Sequence, residues 1–263
     1  MDLRLDGKRA LVTGSTAGIG FAIAKGLAQE GAEVIVNGRT AGRVTEAVET
    51  LNAETGGKAT GAVADLGSAD GAAKLLEEAG DVDILVNNVG IFAPVPFTEI
   101  SDDAWQEIFD VNVMSGVRLS RALVPDMVKR GWGRIIFISS ESGIQTPQEM
   151  VHYGVTKTAQ LALSRGIAES VAGTGVTANA VLPGPTRSEG VVDFMEKLAD
   201  TQDVDRETFV RDFAKTIRPS TLIGRLAEAE EVANLVVFLC GEGSSAITGA
   251  SLRVDGGVVR SIV

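Results

Sequence analysis

The run Lys8-Arg-Ala-Leu-Val-Thr13 continues into Gly14-Ser-Thr-Ala-Gly18-Ile-Gly20, and a helical pattern follows from Phe21 to Gln29. A short, mostly apolar run of this kind has the length and composition of a buried strand. Strand, glycine-rich turn and helix, in that order, is the setting a dinucleotide-binding fingerprint requires. Glycines let the backbone pass close to a pyrophosphate, which then meets the free N–H groups and partial positive charge of the helix N-terminus. The spacing here is G-x-x-x-G-x-G, one residue longer in its first gap than the commoner G-x-G-x-x-G. Gly14, Ser15, Thr16, Gly18, Ile19 and Gly20 are the candidate contacts. Glycines also make plain turns, so the flanking sequence has to decide.

Downstream, strand patterns alternate with helical ones. Glu33 to Val36 ends in Asn37-Gly38-Arg39-Thr40, Ala59 to Ala64 in Asp65-Leu66, and Val82 to Val86 in Asn87-Asn88-Val89-Gly90. Ala41 to Thr55 and Ser68 to Ala79 are helical between them. Arg134 to Ile138, Val176 to Leu182 (followed by Pro183-Gly184-Pro185-Thr186) and Ala250 to Val254 (followed by Asp255-Gly256-Gly257) complete about seven strands. This rhythm predicts an α/β fold: one Rossmann-type, doubly wound parallel sheet with helices on both faces, forming a single domain over residues 1–263. In such a sheet the ligand lies at the carboxyl ends of the strands. A helix is expected from Ser101 to about Arg130, apolar on most faces and therefore buried in the fold or an interface. Further helices are expected through Lys157 to about Ala172 and from Glu228 to Leu239. Charge density rises over residues 187–225, where apolar residues keep helical spacing; this reads as a small helical substrate lid.

The chemistry concentrates in Ile138 to Thr158, ISSESGIQTPQEMVHYGVTKT. It holds the only tyrosine of the chain, Tyr153, with Lys157 one helical turn later. An ammonium beside a phenol favours the phenolate, lowering a pKa normally near about 10 towards the range of a general acid–base. Thirteen residues before Tyr153, Ser140 ends the strand Arg134 to Ile138, from where its hydroxyl can reach the same reacting oxygen. Asn112 is a polar residue within an apolar helical stretch.

The formal net charge is −11 and no basic cluster interrupts it, which argues against a nucleic-acid partner. A single cysteine, Cys240, fits a reducing cytoplasm, and its apolar surroundings make it a core residue. The N-terminal MDLRLDGKR lacks the apolar core of a signal peptide, and no run of 18 apolar residues suggests a membrane span. One histidine and one cysteine offer no metal constellation. His152 is expected either to line the cleft or to take a surface or interface role.

Together these motifs resemble the short-chain dehydrogenase/reductase family over nearly the whole chain, and within it bacterial 3-oxoacyl-acyl-carrier-protein reductases. The resemblance implies hydride transfer between a nicotinamide coenzyme and a carbonyl or alcohol, with the glycine turn on the pyrophosphate. It places Asp65 and Leu66 on the adenine side, and Asn88, Val89 and Gly90, where valine replaces the family's usual alanine, near the ribose. Pro183, Gly184 and Thr186 match the segment holding the nicotinamide amide. Asn112, Ser140, Tyr153 and Lys157 match the catalytic tetrad. Tyr153 is the implied acid–base, Lys157 its support and a ribose contact, Ser140 the stabiliser of the reacting oxygen and Asn112 the holder of a water that joins Lys157 to solvent. NADP(H) is expected rather than NAD(H), because Asn37 to Thr40 carry no acid and Arg39 can grip a 2′-phosphate. Pocket walls are expected from Phe92 to Phe97 and Ile144 to Met150. A homotetramer is expected. The competing function is a coenzyme sensor of the same fold without turnover.

Overall fold

The computed structural model describes residues 2–188 and 218–262, and between them Gly190, Val191, Met195, Ala199, Asp205, Phe209 and Asp212. The lid expected over 187–225 lies for the most part outside the described residues.

Seven parallel strands form the central sheet: β1 (Arg9–Val12), β2 (Glu33–Gly38), β3 (Thr60–Val63), β4 (Ile84–Asn87), β5 (Gly133–Ile138), β6 (Val176–Pro183) and, after the short pair β7 (Thr186–Arg187) and β8 (Ala227–Glu228), β9 (Ser251–Val254). Their order is β3-β2-β1-β4-β5-β6-β9, so the direction of winding reverses between β1 and β4. Val12 pairs with Val36 on one side and Val86 on the other, which sets the exits of β1, β2 and β4 side by side.

Side chains alternate between the two faces, as strand geometry demands. Val34, Val36, Ile84, Val86, Ile136 and Ile138 join one core, covered by α1 (Gly18–Gln29), α2 (Ala41–Thr55) and α7 (Ala229–Cys240). Ile35, Leu85, Ile135 and Phe137 join the other, covered by α3 (Ala69–Ala79), α5 (Ser115–Arg130) and α6 (Val151–Ser170). Cys240 is fully buried in the first core.

Three of the described helices start with a recognisable cap. Ser68 Oγ accepts from Gly71 N at 3.0 Å at α3, and Ser101 Oγ accepts from Ala104 N at 3.2 Å at α4 (Asp102–Phe109). α7 begins with a reciprocal capping box between Glu228 and Glu231. At α1, Ala17 offers no side-chain cap, and no acidic residue occupies the first turn.

The long helix expected from Ser101 to Arg130 is broken by a π turn, Asp110–Met114, between α4 and α5. The wide turn puts the Asn112 side chain against the exit of β4, while its carbonyl accepts from Gln160 Nε2 of α6 at 2.6 Å. Among the described residues, no helix is long and apolar enough to cross a membrane.

Candidate active site

The glycine turn is held by its neighbours. Thr13 Oγ1 accepts from the backbone N–H groups of Asn88 and Val89 at 2.9 and 3.0 Å. Asn88 Nδ2 donates to the carbonyls of Thr13 and Gly14, both at 2.9 Å. A Cβ on Gly20 would lie 2.4 Å from the Gly14 carbonyl oxygen, and Gly14 and Gly18 have φ of +60° and +57°. Ser15 and Asn37 turn inward: Ser15 Oγ donates to the Val12 carbonyl and accepts from Asn37 N, and the Asn37 amide donates to the carbonyls of Ala62 and Ala64. These two side chains brace the exits of β1, β2 and β3, so Ser15 can face a ligand only through its backbone. Leu66 likewise sends its side chain into the core. Asp65 and Arg39 are exposed and line a cleft of about 440 Å³ with Gly67, Asp103 and Asp110. The exit of β6 closes the other side: Gly184 packs on the Asp255 backbone, Thr186 Oγ1 donates to the Gly184 carbonyl, and Ser188 sits beside Gly18.

The other cluster lies at the exits of β4 and β5. Ser140 follows β5, and the short turn Glu141–Gly143 after it rests against the backbone of Lys157. Tyr153 and Lys157 project from α6, with Lys157 Nζ 5.5 Å from the tyrosine ring centroid. Phe92 meets the same ring edge-on at 6.1 Å. Lys157 Nζ donates to the Ile138 carbonyl at 2.9 Å, and burial pushes its pKa down to about 8. Asn112 Oδ1 accepts from Ile91 N at 2.7 Å, and its Nδ2 donates to the Ile91 carbonyl and to Thr156 Oγ1. Gly90 is thereby held between Asn112 and Lys157, each 3.4 Å from where its Cβ would be.

Two expectations need correction. Lys157 does not depress Tyr153 in this structure: the phenol is raised above its ordinary value of 10.0, by burial first and then by the negative charge of Glu141. A hydrogen bond from Ser140 and the charge of Arg218 work the other way without prevailing. The physical reason is that burial disfavours the charged phenolate, and the Glu141 carboxylate after β5 adds its negative charge to that. His152 does not lie on the surface; it is buried, edge-on to Trp105 at 5.8 Å, and burial lowers its pKa. Its Nδ1 has no hydrogen-bond partner among the described residues.

The sequence reading singled out none of Glu141, Arg218 and Glu149, although Glu149 falls in the expected wall Ile144 to Met150 and Arg218 in the expected lid. Arg218 Nε donates to Glu141 Oε1 at 2.9 Å and Nη1 to Glu149 Oε1 at 3.0 Å. An acid directly after the strand-end serine was a local signal, but nothing local announced that Arg218 would cover it.

A parallel sheet whose exits join a glycine turn to a Ser–Tyr–Lys cluster defines a dinucleotide-dependent oxidoreductase. The chain belongs to the short chain dehydrogenase family, whose model matches residues 8–199. The uncharacterized oxidoreductase YvrD of Bacillus subtilis (strain 168) is 49% identical over 265 residues, covering all of both chains. The 3-oxoacyl-[acyl-carrier-protein] reductase FabG of Aquifex aeolicus (strain VF5) is 36% identical, covering 98% of this chain and 100% of its own. The crystal structure of L-sorbose reductase from Gluconobacter frateurii, complexed with NADPH and L-sorbose, superposes with a TM-score of 0.95 at 33% identity, covering 100% of both chains. The chain is thus an oxidoreductase acting on CH–OH or carbonyl groups with a nicotinamide coenzyme. Nothing among these relatives supports the turnover-free sensor.

Proposed function

We propose that the chain is an NADP(H)-dependent carbonyl reductase of the cytoplasm, acting as a homotetramer on a small ketone, a keto sugar or a 3-oxoacyl thioester. The observation that carries this reading is the meeting of Ser140, Tyr153 and Lys157 at the strand exits that also hold the glycine turn. The residues fit a dinucleotide. The start of α1 has neither a side-chain cap nor an acid, so its leading N–H groups are open to a pyrophosphate. Gly14, Ser15, Thr16, Gly18, Ile19 and Gly20 would hold that group largely through their backbone. Val89 and Gly90, with Asn88 stapling them to the turn, would meet the ribose, and Asp65 and the Leu66 backbone the adenine. Pro183, Gly184 and Thr186 would hold the nicotinamide amide.

The bound coenzyme supplies the hydride. Tyr153 gives its phenolic proton to the carbonyl oxygen as negative charge develops there, and the Ser140 hydroxyl donates to the same oxygen. Lys157, anchored on the Ile138 carbonyl, keeps its amine beside the Tyr153 ring and would meet the ribose of a bound coenzyme. Asn112 fastens the loop after β4 to α6 and so keeps Gly90 against Lys157.

The polar wall of Glu141, Arg218 and Glu149 suits a hydroxylated carbonyl compound, as L-sorbose is. Phe92 and Ile144, both exposed at the mouth, suit an acyl chain. The test is NADPH oxidation at 340 nm over a panel spanning keto sugars, small ketones and 3-oxoacyl thioesters. Tyr153→Phe is expected to lower turnover by about a hundred- to ten-thousand-fold while NADPH still binds. Near-wild-type turnover in that variant would sink the mechanism.

A further inference from the structure

α6 carries a second polar pair beside Tyr153 and Lys157. Thr156 and Gln160, one turn apart, are both buried. Gln160 Nε2 donates to the Asn112 carbonyl at 2.6 Å. A backbone carbonyl can only accept, so the nitrogen is the end of the amide that faces it. The other end, Gln160 Oε1, is buried with no hydrogen-bond partner among the described residues. Leaving a buried polar atom unpaired costs free energy, and an apolar side chain of similar size would avoid that cost. What glutamine adds at this position is its donor.

The donor goes to the π turn. There the Ser115 N–H bonds the Asp110 carbonyl, five residues back, so the helical ladder slips by one residue. Side chains serve the next two carbonyls. Ser115 Oγ donates to Val111 at 2.6 Å, and Gln160 donates to Asn112. Ser115 belongs to the helix that continues the turn, whereas Gln160 reaches it from α6. The Asn112 side chain in turn pairs with both the N–H and the carbonyl of Ile91 and donates to Thr156 Oγ1. Thr156 Oγ1 donates to the Tyr153 carbonyl at 2.8 Å. One hydrogen-bonded chain thus joins α6, the π turn and the loop after β4, and Gly90 in that loop lies between Asn112 and Lys157.

Resting on the roles assigned above to Asn112, Gly90 and Lys157, we propose that Gln160 is a positioning residue for hydride transfer. Its amide donor fixes the π turn at Asn112, and through the Asn112–Ile91 pair it fixes the loop that would meet the coenzyme ribose beside Lys157. Without the donor, the Asn112 carbonyl loses its hold on α6 and the Asn112 amide its register with Ile91. The displacement then passes to Gly90, and so to the place of the coenzyme relative to Tyr153.

Two variants separate donation from packing. Gln160→Met keeps the length of the side chain and removes the donor. It is expected to lower kcat about ten- to a hundredfold, the scale of an ångström-sized misplacement, and to weaken NADPH binding in a fluorescence titration. Gln160→Glu donates to the Asn112 carbonyl only while its carboxyl is protonated; ionised, it sets oxygen against oxygen. Burial raises that carboxyl above its ordinary pKa near about 4.3. Each variant is compared with wild type at every pH between about 5 and 9, a range that spans such a raised carboxyl. Gln160→Glu is expected to approach wild-type kcat and NADPH affinity at the acid end and to fall to the Gln160→Met level at the alkaline end. The ratio for Gln160→Met is expected to stay flat. In the coenzyme-free protein, protection of the Ile91 amide against hydrogen exchange is expected to follow the same pattern, because that N–H is held by Asn112. A wild-type kcat in Gln160→Met, or a Gln160→Glu ratio that ignores pH, overturns the proposal. If Gln160→Glu does not fold, Gln160→Met decides alone: lowered kcat and lowered Ile91 protection at an unchanged Tm support the role, and any other result ends it. A wild type that binds NADPH yet reduces no carbonyl would instead sink the functional reading, and the Ile91 exchange result stands apart from it.

Discussion

At the scale of single residues, identity mattered less than the direction a side chain takes. Asn37 and Arg39 stand two positions apart at the end of β2, yet Asn37 is buried between the carbonyls around β3 and the glycine turn, while Arg39 is exposed on the cleft. Asp65, Asp103, Glu107 and Asp110 also line that cleft, and Arg39 is the one cation among its described lining residues. A 2′-phosphate entering it meets a single fork of guanidinium donors in an otherwise acidic wall. A charge-assisted hydrogen bond contributes about 1.5–3 kcal/mol, which corresponds to roughly ten- to a hundred-fold in affinity. Arg39→Asp is therefore expected to shift the ratio of kcat/KM values for NADPH and NADH toward NADH by about that factor. A ratio that stays put, or a wild type that already prefers NADH, would remove Arg39 as the reader.

Among the elements, the turn from β1 to α1 carries the largest constraint. It brings the Gly14 carbonyl, the Asn88 amide and the third residue of α1 within a space where a single methyl group cannot fit. Gly20→Ala would place its Cβ 2.4 Å from a backbone oxygen that no rotamer change can move. The turn has to open, at a cost of about 1–3 kcal/mol for overpacking. The expected outcome is a lower Tm together with loss of NADPH binding in a fluorescence titration. Unchanged NADPH affinity would show that the turn is not the pyrophosphate seat. The π turn at Asp110–Met114 makes the complementary point. Asn112 reads in sequence as one polar residue in an apolar helix, and only the widened turn sets its amide on Ile91 and its carbonyl on Gln160.

Across the whole molecule, the sheet is covered on both faces, yet α4, α5 and α6 keep apolar surface outside the core. Phe109, Met114 and Val117 are only half-buried, and Val155 is 39% exposed. Apolar surface on adjoining helices marks an association face. Two such faces meeting about a twofold axis, repeated once, make the proposed tetramer. Light scattering should return four times the 27.3 kDa chain mass, and a concentration-independent single-chain mass would refute the assembly.

Much of the fold could be read from the chain because its signals are local. Apolar strands of period two, helical patterns between them and a glycine turn at Gly14 to Gly20 specify a parallel sheet and its ligand-bearing edge. The Tyr153–Lys157 spacing is likewise one turn of a single helix, so the pair was visible before any packing was known. What the tertiary structure alone decided is the electrostatic state of that pair. A pKa depends on every charge and every ångström of burial around the group, and those neighbours come from distant sequence. Arg218 reaches Glu141 across 77 residues, Lys157 is held by the carbonyl of Ile138, and the phenol is raised where the isolated YxxxK pair would lower it. The inward turn of Ser15, Asn37 and Leu66 has the same origin, because which side of a strand exit faces the core is set by the elements that pack against it.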